Sequence, residues 1–219
     1  MRSALVAYVA LTVLTLGVFA LWPELDLIVA RYFFHAGSFF GGDEDLRFAR
    51  EFFRMTPFVV LAAYVALWLA RRSGAKLPWS PSGQAVIFLI VTIAVGPGLI
   101  VNLGLKDHWG RPRPYQTQGF SGQDPFRPWY ATDGACKRNC SFVSGEAATA
   151  FWTVAPASLL PPPWRAPALV AAFVFGAAAS LLRLAFGGHY LSDVLLGGLL
   201  TLIVIEAARR IIWPRGGSS

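Results

Sequence analysis

The chain has 219 residues, 55% of them hydrophobic and 14% charged, with a formal charge of +7. An ordinary soluble domain carries about 25% charged residues, so this balance excludes a typical water-soluble fold and fits a polytopic membrane protein, its length matching one integral-membrane domain over residues 1–219. In a soluble chain the positive charge would point to nucleic acid; basic loops flanking membrane segments account for it here, and no nucleic-acid partner is expected.

A helix needs about 20 apolar residues to cross the hydrocarbon core. Six stretches approach this in chain order: Ala4–Trp22, Pro57–Ala70, Ala85–Leu105, Ser144–Leu160, Ala166–Leu182 and Leu191–Ile212. The expected fold is therefore all-α, with six transmembrane helices and additional interfacial or periplasmic helices. Arg2 and the apolar run after it resemble a signal peptide. The run is long, however, and continues into Trp22, Pro23 and Glu24 without a small-x-small cleavage site, so it is expected to be a retained span. Between the first two spans, Glu24–Arg54 mixes charges with Leu, Ile, Tyr and Phe. It fits either a helix in the headgroup layer or a solvated connector. The second span is short and borrows neighbours such as Phe52 and Phe53.

Six spans place both termini on one side. A bare count of Lys and Arg does not orient the chain. A cytoplasmic assignment for the termini is favoured by the short inner loop Arg71–Lys76, which has no acid. The two cysteines, Cys136 and Cys140, then lie in an outer loop, where an oxidising compartment permits a short disulfide. A tetrahedral metal site would need two further ligands close by.

Three polar islands interrupt the oil. After the third span, Lys106, Arg111 and Arg113 crowd into eight residues stiffened by Pro112 and Pro114. Such a cluster suits a phosphate dianion, because arginine offers a bidentate fork and lysine a point charge; it also suits anionic lipid headgroups. At the start of the fourth span, Ser144 and Gly145 occupy a helix N-terminus, where free backbone N–H groups favour anions; a plain N-cap is the alternative. Arg183 ends the fifth span, Gly187 and Gly188 allow a turn, and His189 precedes Asp193 by four positions, one helical turn. A carboxylate beside an imidazole fixes its tautomer and stabilises its charged form. Ionisable groups this close to the membrane are costly and point to function. With six spans, all three islands reach the same side and can build one site.

Together these residues resemble a known family. Lys106 and Arg113-Pro114 form K-x6-R-P, Ser144-Gly145 form the centre of a P-S-G-H-like motif, and Arg183, His189 and Asp193 form R-x5-H-x3-D. This tripartite pattern resembles the type 2 phosphatidic-acid phosphatases, which share it with vanadium haloperoxidases. The "SFVSGEA" form is similar to the lipid A 1-phosphatase branch. The resemblance implies a bacterial inner-membrane lipid phosphatase with its site facing the periplasm. His189 would form a phosphohistidine, Asp193 would orient it, and Lys106, Arg113, Arg183, Ser144 and Gly145 would bind the phosphate. The implied partners are a phosphorylated membrane lipid and the bilayer. Undecaprenyl pyrophosphate and phosphatidylglycerophosphate are alternative substrates, and a non-catalytic lipid-binding protein is the alternative of another class.

One position departs from the family pattern. The family's second motif ends in a histidine that protonates the leaving oxygen, where this chain has Glu146. Glu146 can replace it only while it holds a proton, which burial or a nearby negative charge such as bound phosphate would favour; the alternative is a leaving group that needs little acid help, such as a phosphate or an anomeric sugar oxygen. No cofactor is expected, since no carboxylate-rich cluster suited to a hard cation is evident. Chelating agents should therefore leave phosphate release by the purified protein unchanged. Loss of turnover restored by magnesium would contradict this.

Overall fold

A computed structural model describes residues 2–214. After α1 (Arg2–Leu21) come a short α2 (Glu24–Tyr32), a long α3 (Glu44–Arg72) and α4 (Gly83–Ile93). After a polar loop follow α5 (Gly145–Phe151), α6 (Val154–Ala157), α7 (Arg165–Ala185) and α8 (Leu191–Ile212). The α4 rod continues beyond Ile93 in wider π-type turns over Ala94–Leu105, and the Lys106 amide reaches back five residues to the Val101 carbonyl. Pro97 and the glycines around it interrupt the ordinary ladder there.

Among the described residues, five helices are long and apolar enough to cross a membrane: Ser3–Leu21, Glu44–Arg72, Gly83–Leu105, Arg165–Ala185 and Leu191–Ile212. The expected span over Ser144–Leu160 differs. It is two short helices broken at Trp152 and Thr153, because Pro156 has no amide hydrogen and its ring collides with the carbonyl four residues back, that of Trp152. The Thr153 and Ala155 amides bond three residues back instead, to Ala150 and Trp152. Irregular backbone at membrane depth is tolerated where protein replaces lipid. That is its setting here: Trp152 is fully buried, its indole N–H donates to the Thr92 hydroxyl at 2.9 Å, and the Tyr64 hydroxyl donates to the Pro156 carbonyl at 2.7 Å. The surrounding core includes Phe88, Leu89, Leu202 and Ile205.

The stretch Glu24–Arg54 is likewise not one connector. Its first part is α2, but from Glu44 onward it is the start of α3. The Asp43 carboxylate accepts from the Leu46 amide at 3.1 Å and nucleates this helix well before the apolar run. This early start carries Arg50 to the mouth of the bundle.

The loop between α4 and α5 is closed by the Cys136–Cys140 disulfide, with the Cα atoms 5.7 Å apart. Its aromatic residues mostly face inward. Trp109 and Trp129 stack on Phe142, Phe126 packs edge-on against Tyr190, and Phe120 is buried among Phe34 and Phe39. They anchor the loop over α8, whereas Tyr115 and Tyr130 are exposed.

Candidate active site

His189 lies in the tight turn between α7 and α8, one residue before Tyr190, the N-cap of α8. It therefore does not share a helix with Asp193. Its Nδ1 is 2.7 Å from the Ser141 carbonyl, while the nearer Asp193 oxygen is 3.9 Å away, too far for a hydrogen bond. A carbonyl only accepts, so Nδ1 carries the hydrogen and Nε2 keeps its lone pair. Asp193 acts on the ring through Ser141, whose hydroxyl donates to Oδ2 at 2.5 Å; the Tyr190 amide donates to the same oxygen at 2.9 Å. Burial pushes the His189 ring down to about 3, opposed by Asp193 and reinforced by Arg183 and Arg113. At neutral pH the ring is an uncharged base.

A buried ionic network sits beneath this turn. Arg111 is fully buried and donates to Asp193 at 2.6 Å and to Asp26 at 2.7 Å. Asp26, reaching in from α2, also accepts from the Ser192 amide at 2.8 Å and the Ser192 hydroxyl at 2.6 Å. Burial raises the Asp26 carboxyl despite Arg111 beside it. The Arg111 guanidinium lies over the Tyr190 ring, 4.4 Å from its centroid, and donates to the Arg127 carbonyl. Of the first island's three cations, then, Arg111 is spent on structure.

Arg113 and Arg183 meet beside the histidine. Arg113 donates to the Asn139 carbonyl and side chain at 2.9 and 3.0 Å and to the Gly188 carbonyl at 3.4 Å. Arg183 closes from α7: a Cβ at Gly188 would lie 2.2 Å from its guanidinium, so a larger residue beside His189 would displace the arginine. Both guanidiniums thus meet at the residue next to the imidazole. The Nε of Arg183 is buried without a hydrogen-bond partner and lies 3.6 Å from Glu146. Lys106, at the end of the α4 rod, is lowered to about 8, by burial first and by Arg113 and Arg183. A crowd of cations with unsatisfied donors is an anion site.

The second island has a mixed outcome. Ser144 is the N-cap of α5, its hydroxyl oxygen accepting from the Ala147 amide at 3.3 Å; its hydroxyl hydrogen remains available to donate. Gly145 sits close to Asn102: a Cβ there would lie 2.5 Å from the Asn102 amide oxygen and push that side chain aside. Glu146, in the first turn of α5 and outside the five long spans, is gripped by Arg50. The Arg50 Nε lies 3.2 and 3.1 Å from its two oxygens and Nη2 lies 2.6 Å from Oε1. Burial disfavours its charge, but the Arg50 hydrogen bonds and the Arg183 charge outweigh this and hold it below the usual carboxylate range. Arg50, Asp26, Ser141 and Ser192 carried no signal in the sequence; Asp26 is one of two acids, with Glu24, in the first turn of α2.

Residues 84–216 match the PAP2 superfamily model. The chain is 36% identical over 189 residues to a lipid A 4′-phosphatase of Francisella tularensis subsp. novicida, covering 84% of this chain and 85% of that protein. It is 36% identical over 210 residues to a lipid A 4′-phosphatase of Rhizobium leguminosarum, covering 88% and 89%. A third lipid A 4′-phosphatase, from Rhizobium etli, is 35% identical over 208 residues, covering 88% and 80%. No solved structure matches.

The network generates a stability prediction. Arg111→Met leaves two buried carboxylates without their cation and should cost about 3–5 kcal/mol. Asp26→Asn keeps an acceptor for Ser192 and should cost only about 1–2 kcal/mol. Unfolding in detergent, followed by loss of helical circular dichroism, checks both. A loss below about 0.5 kcal/mol for Arg111→Met would show that the network is not structural.

Proposed function

Because the chain belongs to the PAP2 superfamily and is a multi-pass membrane lipid phosphatase, we propose that it hydrolyses the 4′-phosphate monoester of lipid A through a phosphohistidine at His189. The substrate end is supported by the three relatives, each of them a lipid A 4′-phosphatase. They give no support to the 1-phosphate branch that the motif form resembles.

The observation that carries the mechanism is the tautomer of His189. Donation from Nδ1 to Ser141 leaves Nε2 free, next to a glycine that touches both Arg113 and Arg183. A phosphate held by Lys106, Arg113 and Arg183, with the Ser144 hydroxyl and the Gly145 amide adding donors, presents its phosphorus to that nitrogen. Charge neutralisation and placement are most of what phosphoryl transfer needs from a protein. As Nε2 bonds to phosphorus the ring becomes cationic, and Asp193, acting through Ser141, offsets that charge. A 4′ oxygen on a sugar ring is an ordinary secondary alcohol, a poorer leaving group than an anomeric oxygen. It therefore needs a proton, and Glu146 is the acid positioned to supply it. The disulfide in the loop that carries Arg113 supports a site on the periplasmic face of the inner membrane.

The test is phosphate release by purified protein from lipid A phosphorylated only at position 4′, lipid A phosphorylated only at position 1, undecaprenyl pyrophosphate and phosphatidylglycerophosphate. The 4′ form should turn over fastest, and His189→Ala should lower that rate roughly a thousandfold or more. Equal release by wild type and His189→Ala would defeat the phosphohistidine, and preference for another lipid would reassign the substrate.

A further inference from the structure

Glu146 is met from two sides by cations of different standing. Arg50 comes from α3, 96 positions away in sequence, and binds it with three short contacts. Arg183 comes from α7, with an Nε that has no hydrogen-bond partner of its own. The cations Lys106 and Arg113 and the titratable His189 complete the groups that act on Glu146, and Glu51, which acts on Arg50, is itself paired with Arg54. In this state Glu146 is the counter-ion of the phosphate site. An incoming phosphate dianion competes with it for the same guanidiniums. Arg50 is placed to change partners: its side chain is 36% exposed and lines an open cleft of about 620 Å³ with Arg47 and Phe186, so it has room to turn.

We infer that Arg50 is a positioning residue that exchanges partners during the reaction, holding Glu146 as a carboxylate in the empty enzyme and turning to the substrate phosphate in the complex, which frees Glu146 to carry the proton for the leaving oxygen. This rests on the phosphatase reading above. Two negative charges beside Glu146, with Arg50 withdrawn, favour its neutral form. The proton comes from water or from the substrate monoanion. The bond from Nε2 to phosphorus then forms, the bond from phosphorus to the sugar oxygen breaks, and that oxygen takes the Glu146 proton. In the second half a water attacks phosphorus, its proton passes to the Glu146 carboxylate, and the electrons of the N–P bond return to Nε2. When inorganic phosphate leaves, Glu146 loses its proton and Arg50 grips it again.

The test is infrared difference spectroscopy on the full chain in detergent, with and without orthovanadate, together with steady-state kinetics on the best lipid. Orthovanadate should raise a protonated-carboxyl band in wild type, and that band should be missing in Glu146→Gln. In Arg50→Gln the band should be present before vanadate is added, and KM should rise about tenfold as the phosphate loses a charged fork. Arg50→Lys, which keeps the charge and loses the fork, should show the band partly formed without anion and a KM within about threefold of wild type. Should Arg50→Gln not fold, Arg50→Lys decides, since a spectrum identical to wild type overturns the exchange. A wild type that is active and inhibited by vanadate yet shows no anion-induced band defeats this inference alone. A wild type that releases no phosphate from any lipid defeats the underlying function instead.

Discussion

The site depends on one buried guanidinium. Arg111 binds Asp193 at the start of α8 and Asp26 in α2 at the same time, and Ser192 bridges the two carboxylates' surroundings from below. Three charges removed from water would be costly if any were unmatched. Here each oxygen of both carboxylates accepts at least one hydrogen bond. The cluster keeps one more negative charge than positive when both acids are ionised, and that excess lies under the cations around His189. The network therefore ties α2 to α8, fixes the start of α8 and supplies a field that makes the cationic pocket tolerable.

From that anchor the imidazole is positioned indirectly. Asp193 accepts from the Ser141 hydroxyl, and the Ser141 carbonyl accepts from the ring. A direct carboxylate–imidazole bond would pull a proton toward the acid; a carbonyl holds the tautomer without competing for it. The carboxylate stays close enough to favour the positive ring that the proposed transfer would form. At rest, burial and the flanking arginines keep the ring neutral and nucleophilic.

The three polar islands were legible because each has short-range spacing: Lys106 to Arg113, Ser144 to Gly145, and Arg183 through His189 to Asp193. Their convergence followed from the ends of the apolar runs. What was not legible came from distance in sequence or from local chemistry that periodicity ignores. Asp26 and Ser192 are 166 positions apart, and Arg50 and Glu146 are 96 apart, so neither pair leaves a local pattern. Hydropathy saw an unbroken run over Ser144–Leu160, while the missing amide of Pro156 decides where the helix breaks. The early start of α3 came from a single capping carboxylate, Asp43, which a hydropathy window averages away.

The replacement of a histidine by Glu146 changes what the empty pocket can be. Lys106, Arg113, Arg183 and Arg50 crowd together near the membrane, and without an anion their mutual repulsion falls on every cation present. An imidazole in place of Glu146 could be neutral or add to the positive charge, but it could not cancel any of it. A carboxylate cancels one charge while the pocket waits, and in the proposed exchange it becomes neutral when a dianion arrives. Glutamate thus links the proton inventory of the site to its occupancy, whereas a histidine would leave the resting charge to solvent and lipid. If the leaving oxygen is a secondary sugar alcohol, as proposed, it needs a proton donor, and the Arg50–Glu146–Arg183 arrangement has the charges and the geometry to keep that donor ionised while the pocket is empty.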